Sequence, residues 1–206
     1  MRAGLDPIRI ADDVFELVVE TAADAQALAS ELRDAALAED VVAGLDRVAV
    51  KFSPTQVEQV EAWLSKSTVP ESKSVRVTDP IEIGIHYGGD GGPDFDQVCH
   101  SLGLSPEAFI KAHTTPVHTV EMIGFTPGFS YISGLQDGFE ISRLSDPRPR
   151  VAAGSVGISA AYTGIYALNG PGGWPLIGHT EAELFRADRS APFLLAPGQR
   201  VRFRAL

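Results

Sequence analysis

The feature that most limits the possible folds is a change of texture near residue 80. Beyond it glycine and proline recur so often that helical periodicity survives in two short pieces, Asp94 to Leu102 and Ser105 to about His113. The remainder is a series of brief apolar runs bounded by turn residues: Val117 to Phe125, Val151 to Ser159, Ala161 to Leu168, Leu184 to Phe185, Phe193 to Leu195 and Val201 to Phe203. Many short strands with regular punctuation satisfy their backbone groups most completely by closing on themselves. Residues 81–206 are therefore expected to form a mainly β barrel.

Residues 1–80 follow a different rhythm. Val14 to Val19 is a β-rich run, and Ala23 to Ala38 follows with Ala25, Leu28, Leu32 and Ala36 at helical spacing. Val41 to Leu45 and Arg47 to Phe52 are strand candidates. Ser53-Pro54-Thr55-Gln56 then carries a helix start, with a capping serine, proline at the first helical position and glutamine closing a capping box. That helix is expected to reach about Lys66, with Val57, Val60 and Leu64 on one face. Val75 and Val77, then Ile81, Ile83 and Ile85, alternate with polar residues as a half-buried strand does. The order β-α-β-β-α-β predicts a small ferredoxin-like α+β domain over 1–80, followed by the barrel domain over 81–206.

Charge narrows the function. The chain carries 27 acidic and 17 basic residues, a net charge of -10 that repels nucleic acid and anionic lipid. Cys99 is the single cysteine, so an intramolecular disulfide framework and a thiolate zinc cluster are excluded, and a reducing cytoplasmic setting is expected. No apolar run approaches the roughly 20 residues that span a bilayer, and Met1 to Asp13 lacks the apolar centre of a signal peptide.

Sharper chemistries fail at the level of spacing. Gly88, Gly89, Gly91 and Gly92 do not spell a Gly-x-Gly-x-x-Gly cradle, and the chain has no Gly-x-x-x-x-Gly-Lys-Ser/Thr loop. Ser155, in Ala153-Gly154-Ser155-Val156-Gly157, lacks the first glycine of a nucleophile elbow. Cys99 and His100 are helix neighbours that point apart; with Phe95 and Leu102 on its face, Cys99 is expected to be a buried small hydrophobe. His86, His100, His118 and His179 show no metal-ligand spacing, and His118 and Glu121, three apart on a strand, are expected on opposite faces. No metal site is expected.

Seven segments, matching five patterns, carry a family resemblance. Tyr87-Gly88-Gly89-Asp90-Gly91-Gly92-Pro93-Asp94 looks like YGGxxGPD, Lys111-Ala112-His113-Thr114-Thr115 like xHTS, and Gly124-Phe125-Thr126-Pro127-Gly128-Phe129-Ser130-Tyr131 like GFxPGFxYL. Pro147 to Val151 and Ala153 to Ile158 resemble PRxxVPAGSVGI; Thr163 to Tyr166 and Pro171 to Gly178 resemble TGIYPxxxPGGWxLIG. In order and spacing the chain resembles the KipI / allophanate hydrolase subunit 1 family, which includes the B-type (PxpB-like) chain of 5-oxoprolinase and the carboxyltransferase subdomains C and D. The likeness covers 81–206 strongly and 1–80 only faintly. It departs at Tyr162, where members carry Gln, and at His179, where they carry Arg.

The resemblance implies a cyclophilin-like barrel and a role as one subunit of an ATP-dependent 5-oxoprolinase, inactive alone. It implies pairing with a larger cyclophilin-like subunit (allophanate hydrolase subunit 2, KipA-like) and, in some systems, a LamB/YcsF-like subunit. Its alternatives are a urea- or allophanate-processing carboxyltransferase subunit and a histidine-kinase inhibitor. ATP is expected to be used by the complex, with no cofactor bound by this chain.

Within the matched segments, His113 is the candidate proton-exchanging group; the competing reading is a histidine that caps its helix. Arg148 and Arg150 have planar forks suited to a carboxylate or a phosphorylated intermediate, against a reading as solvated loop arginines. Phe125, Pro127, Phe129 and Tyr131 form a cleft wall or contact surface around a Pro-Gly turn, unless they are ordinary core. Gly172, Gly173 and Trp174 make a pocket edge or a tight hairpin with a packed indole, and Ser155, Tyr162, Thr163 and Tyr166 complete the expected cleft. An exposed apolar patch for a partner is also expected.

Overall fold

The computed structural model describes residues 5–70 and 79–206. The chain divides into two compact units, Met1–Arg76 and Val77–Leu206.

The first unit is an antiparallel sheet backed by two helices. Strands β1 (Ile8–Ala11), β2 (Val14–Val18), β3 (Asp40–Ala43) and β4 (Arg47–Lys51) lie in the order β1-β2-β4-β3. Alternation directs Phe15, Leu17, Val41, Val48 and Val50 to one face, where Leu28 and Leu32 of α1 (Ala22–Asp34) and Val60 and Leu64 of α2 (Val57–Leu64) close the core. Phe15 stacks on Phe52 with ring centroids 4.7 Å apart. Thr21 caps α1 by accepting the Asp24 N–H, and the helix ends four residues short of expectation because Ala36 turns left-handed, at φ 52°.

Two expectations for this unit change. Ser53 does not close a capping box: its hydroxyl meets Thr55 instead, and Pro54–Gln56 is a 3-10 turn leading into α2. The βαββαβ order is not confirmed either. A strand, β1, precedes the first expected one, while Val75 and Val77 lie outside the described residues and Ile81–Tyr87 belongs to the barrel. β1 is exposed along its whole length, so it carries no hydrophobic alternation to betray it.

The second unit is a closed seven-stranded barrel. Its strands are β5 (Ile81–Tyr87), β6 (His118–Ile123), β7 (Ser130–Ser133), β9 (Ser155–Ser159), β10 (Tyr162–Ile165), β12 (Leu176–His179) and β13 (Arg200–Ala205). They close in the order β10-β7-β6-β13-β5-β12-β9. All pairs are antiparallel except β13 on β5, where Val201 to Ala205 run beside Ile81 to Ile85. Inward residues from all seven strands, among them Ile83, Val120, Ile132, Ile158, Ile165, Ile177 and Phe203, meet in one core. Helices α3 (Phe95–Ser101) and α4 (Pro106–Thr114) add Phe95, Cys99 and Phe109 to it. Cys99 is thus the buried hydrophobe expected, 2% exposed.

The short β8 (Arg148–Val151) and β11 (Gly170–Gly172) form a separate ribbon. The expected single run Val151 to Ser159 is split by a left-handed turn at Gly154, φ 84°. β7, β11 and β12 were not anticipated, since glycines and serines dilute their apolar pattern.

Candidate functional site

Strand alternation gives the barrel a second apolar layer. On β7 Ile132 faces the core while Tyr131 faces away; on β12 Ile177 and Leu176 divide in the same manner. The outward set, Phe129, Val151, Tyr166, Trp174 and Leu176, with Tyr131 and Tyr162 packed on it, forms a compact aromatic cluster. Phe129 is its hub. Its ring meets Tyr166, Tyr131, Trp174 and Phe125 at centroid distances of 4.9, 5.1, 5.5 and 5.5 Å, all near-perpendicular, the arrangement that ring quadrupoles favour. Gly164 makes this possible: a Cβ there would sit 2.6 Å from both the Phe129 and Trp174 rings. Gly172 does the same for Tyr166, whose hydroxyl occupies the place of the missing side chain.

Over this cluster opens a cavity of about 290 Å³, lined by Phe125, Tyr131, Arg143, Tyr166, Gly173 and Trp174 among others. Phe125 stands at its rim, 60% exposed, in the hairpin between β6 and β7. Its φ of 69° is a left-handed conformation that a bulky residue rarely adopts, and such strain gathers at functional sites. Burial raises the Tyr131 phenol, an effect opposed by the positive charge of Arg143. Burial also raises Tyr166, against a hydrogen bond with the Trp174 backbone and the charges of Arg143 and Arg148. Both phenols are therefore neutral hydrogen-bonding groups at pH 7, facing a positively charged edge.

Arg148 does not line the cavity. One of its nitrogens is held 2.7 Å from Asp94 Oδ1, and the other Asp94 oxygen accepts the Leu176 N–H at 2.6 Å. Asp94 stands at the N-terminus of α3 but makes no capping bond; it serves instead as the brace between the ribbon and the barrel. Arg148 Nη1 is buried without a partner among the described residues. Arg150 and Pro127 are exposed and stand off the cavity, Ser155 and Thr163 are buried in the barrel wall, and Tyr162 packs on Tyr131 at 6.3 Å. A second, more polar recess of about 410 Å³ adjoins, lined by Asp94, Gln97, Ser101, Glu140, Arg143 and Ser145 among others.

His113 requires a correction. Its ring lies in the barrel core with no exposure, stacked on Phe203 at 4.6 Å. Nδ1 meets the Tyr87 hydroxyl at 2.6 Å and Nε2 the Thr163 hydroxyl at 2.8 Å. Burial, aided by the neighbouring His118, lowers its pKa to about 3. A neutral ring with both nitrogens engaged neither caps the helix nor exchanges protons with a substrate near pH 7. His118 is buried beside it with nitrogens 2.9 and 3.1 Å from the His113 and Ser133 carbonyls. Among the described residues no group of acidic, histidine or cysteine side chains is arranged to hold a metal.

Sequence reasoning missed Arg143, Leu144, Pro147 and Pro171, all on the cavity wall. Arg143 and Leu144 sit in an irregular stretch without periodicity, whereas Pro147 and Pro171, the latter on β11, open matched segments but were not singled out within them.

The deciding observation is that the profile of the carboxyltransferase domain, subdomain C and D, matches residues 10–195. The chain belongs to that family. Among its relatives is the B-type chain of the 5-oxoprolinase of Escherichia coli O157:H7, 38% identical, with 85% of this chain and 82% of that protein covered. The corresponding 5-oxoprolinase chain of Bacillus subtilis (strain 168) is 45% identical over 123 residues, covering 60% of this chain and about half, 51%, of the relative. A crystal structure of TTHA0988 superposes with a TM-score of 0.78 at 32% identity, covering 94% of this chain and 40% of that one. The urea carboxylase of Kluyveromyces lactis shares the fold, with a TM-score of 0.78 at 15% identity, covering 98% of this chain and 22% of its own. The subdomain C and D fold thus occurs both as a nearly separate chain and as part of longer ones. Its family profile spans the aromatic cluster and the Asp94–Arg148 brace alike.

Proposed function

We propose that the chain is the B-type component of a heteromeric 5-oxoprolinase, which opens the ring amide of 5-oxo-L-proline to L-glutamate with ATP. The observation that carries the reading is the 38% identity to the E. coli B-type chain over 85% of this one. In this reading the barrel is of the cyclophilin-like kind, and the first unit is a ferredoxin-related sheet in which β1 takes an edge position. The partners are a larger cyclophilin-like, KipA-like subunit and a LamB/YcsF-like subunit, and the assembly works in the cytoplasm. Among the described residues no helix is long and apolar enough to cross a membrane.

A ring amide resists attack because the nitrogen lone pair stabilises the carbonyl, so activation by phosphorylation is assigned to a subunit with a nucleotide site. This chain contributes shape, hydrogen-bond donors and fixed charge at the aromatic cleft, where excluding water strengthens each polar contact. Arg148, held by Asp94, keeps positive charge beside the cleft; Arg150 stands farther out on the same strand. The test is co-expression with both partner types, co-purification, and an assay for ATP-dependent glutamate release. Glutamate formed only when every chain is present supports the reading; a stable assembly that releases none overturns the substrate assignment.

A second reading, a carboxyltransferase-type subunit acting on urea-like amides, is favoured by the family to which the chain belongs. Turnover that requires a separate biotin carboxylase and carrier would select it.

A further inference from the structure

Arg148 is occupied by Asp94 and stands off the cavity, whereas the Arg143 guanidinium lines its edge. Arg143 is exposed and lines both the aromatic cavity and the polar recess next to it. Among the described residues it has no hydrogen bond and no ion pair. Its backbone is held in place on both sides: Ile141 forms a bridge with Ala160, and the Leu144 N–H donates to the Gly173 carbonyl at 2.8 Å, on the cavity rim. A flexible side chain thus springs from a fixed base, and its charge acts on the Tyr131 and Tyr166 phenols within the same cavity.

We infer that Arg143 is the residue that selects a carboxylate in this cleft, and that the ligand class is a small flat monocarboxylate whose body lies on the aromatic wall. The chemistry on each side is distinct. The wall of Phe129, Tyr131 and Trp174 offers apolar surface for a compact ring, and the phenols offer neutral hydrogen bonds. The guanidinium offers two parallel N–H donors to one carboxylate, a geometry that a lysine or an amide does not reproduce. Arg143 is the arginine that lines the cavity, and its charge favours an anion at this edge of an acidic protein of net charge -10. A volume of about 290 Å³ suits a ligand at the small end of the usual range.

The inference rests on the 5-oxoprolinase reading for its choice of probe, and two experiments separate their fates. In the first, the assembled complex is assayed with 5-oxo-L-proline and with its carboxamide, which keeps the ring and loses the charge. Arg143→Gln should raise KM for the acid about 10- to 100-fold, leave KM for the carboxamide unchanged, and spare kcat; Arg143→Lys should recover little. Equal changes for both compounds, or none, would overturn the inference while leaving the functional reading intact. The second uses the full chain alone, with Trp63→Phe so that Trp174 is the sole indole, and follows its fluorescence during titration with 5-oxo-L-proline. Saturable quenching that Arg143→Gln abolishes supports carboxylate selection even if the complex yields no glutamate. Quenching that is indifferent to Arg143, or to replacement of the acid by its carboxamide, refutes it.

Discussion

At the scale of single residues, the candidate site depends on a few atoms that are absent. Gly164 has no side chain where two rings pass, so Gly164→Ala forces Phe129 or Trp174 to shift. It should cost about 1–3 kcal/mol by urea denaturation and change Trp174 fluorescence. Asp94 holds Arg148 and the Leu176 N–H together, and Asp94→Ala should lower stability by about 1–3 kcal/mol. The buried histidines set a pH dependence whose sign is fixed. His113 titrates near 6.5 when unfolded and near 3 when folded, so between those values the unfolded chain binds the extra proton. Stability present above pH 6.5 is therefore lost as pH falls toward 3, by up to about 1.4 kcal/mol per pH unit from this ring. His118, also lowered by burial, acts in the same direction. Urea midpoints at pH 7.5 and 5.5 should differ accordingly, and the difference should shrink in His113→Gln. Loss of activity in His113→Ala would report a collapsed core rather than missing proton transfer, since it leaves a cavity and unpaired Tyr87 and Thr163 hydroxyls.

At the scale of elements, the hairpin joining β6 to β7 shows a local conflict kept for a reason. Phe125 is strained and exposed, yet its ring completes the cleft rim. Phe125→Gly should leave thermal stability unchanged or slightly raised while weakening ligand binding at the cleft; a clear loss of Tm would show that the ring is there for packing alone. Legibility in the sequence follows the same physics. α2, α4 and the inner faces of β5 and β13 were readable because burial on one side imposes a period. β9 was hidden inside a longer run because its residues are buried on both faces, and β1 because its residues are exposed on both. The cleft aromatics were found as motifs, since Phe125, Phe129, Tyr131 and Trp174 lie in matched segments, whereas Arg143 lies between them. No one-dimensional pattern marks Asp94 as the partner of a residue 54 positions away.

At the scale of the whole molecule, a closed barrel, an aromatic cleft on its outer wall and a family membership are the basis of the proposal that this chain is needed for opening a ring amide and that its cleft meets the substrate. The single cysteine offers a fold control, because Cys99 is 2% exposed and should react with a thiol reagent only on unfolding. With folding verified in that way, the most direct measurement is ATP-dependent glutamate release from 5-oxo-L-proline by the reconstituted assembly, made with the wild-type chain, with Phe125→Gly, and with the chain omitted. The account predicts full release, reduced release at limiting substrate, and none. Release that persists without this chain, or that is identical for Phe125→Gly at every substrate concentration, would contradict it.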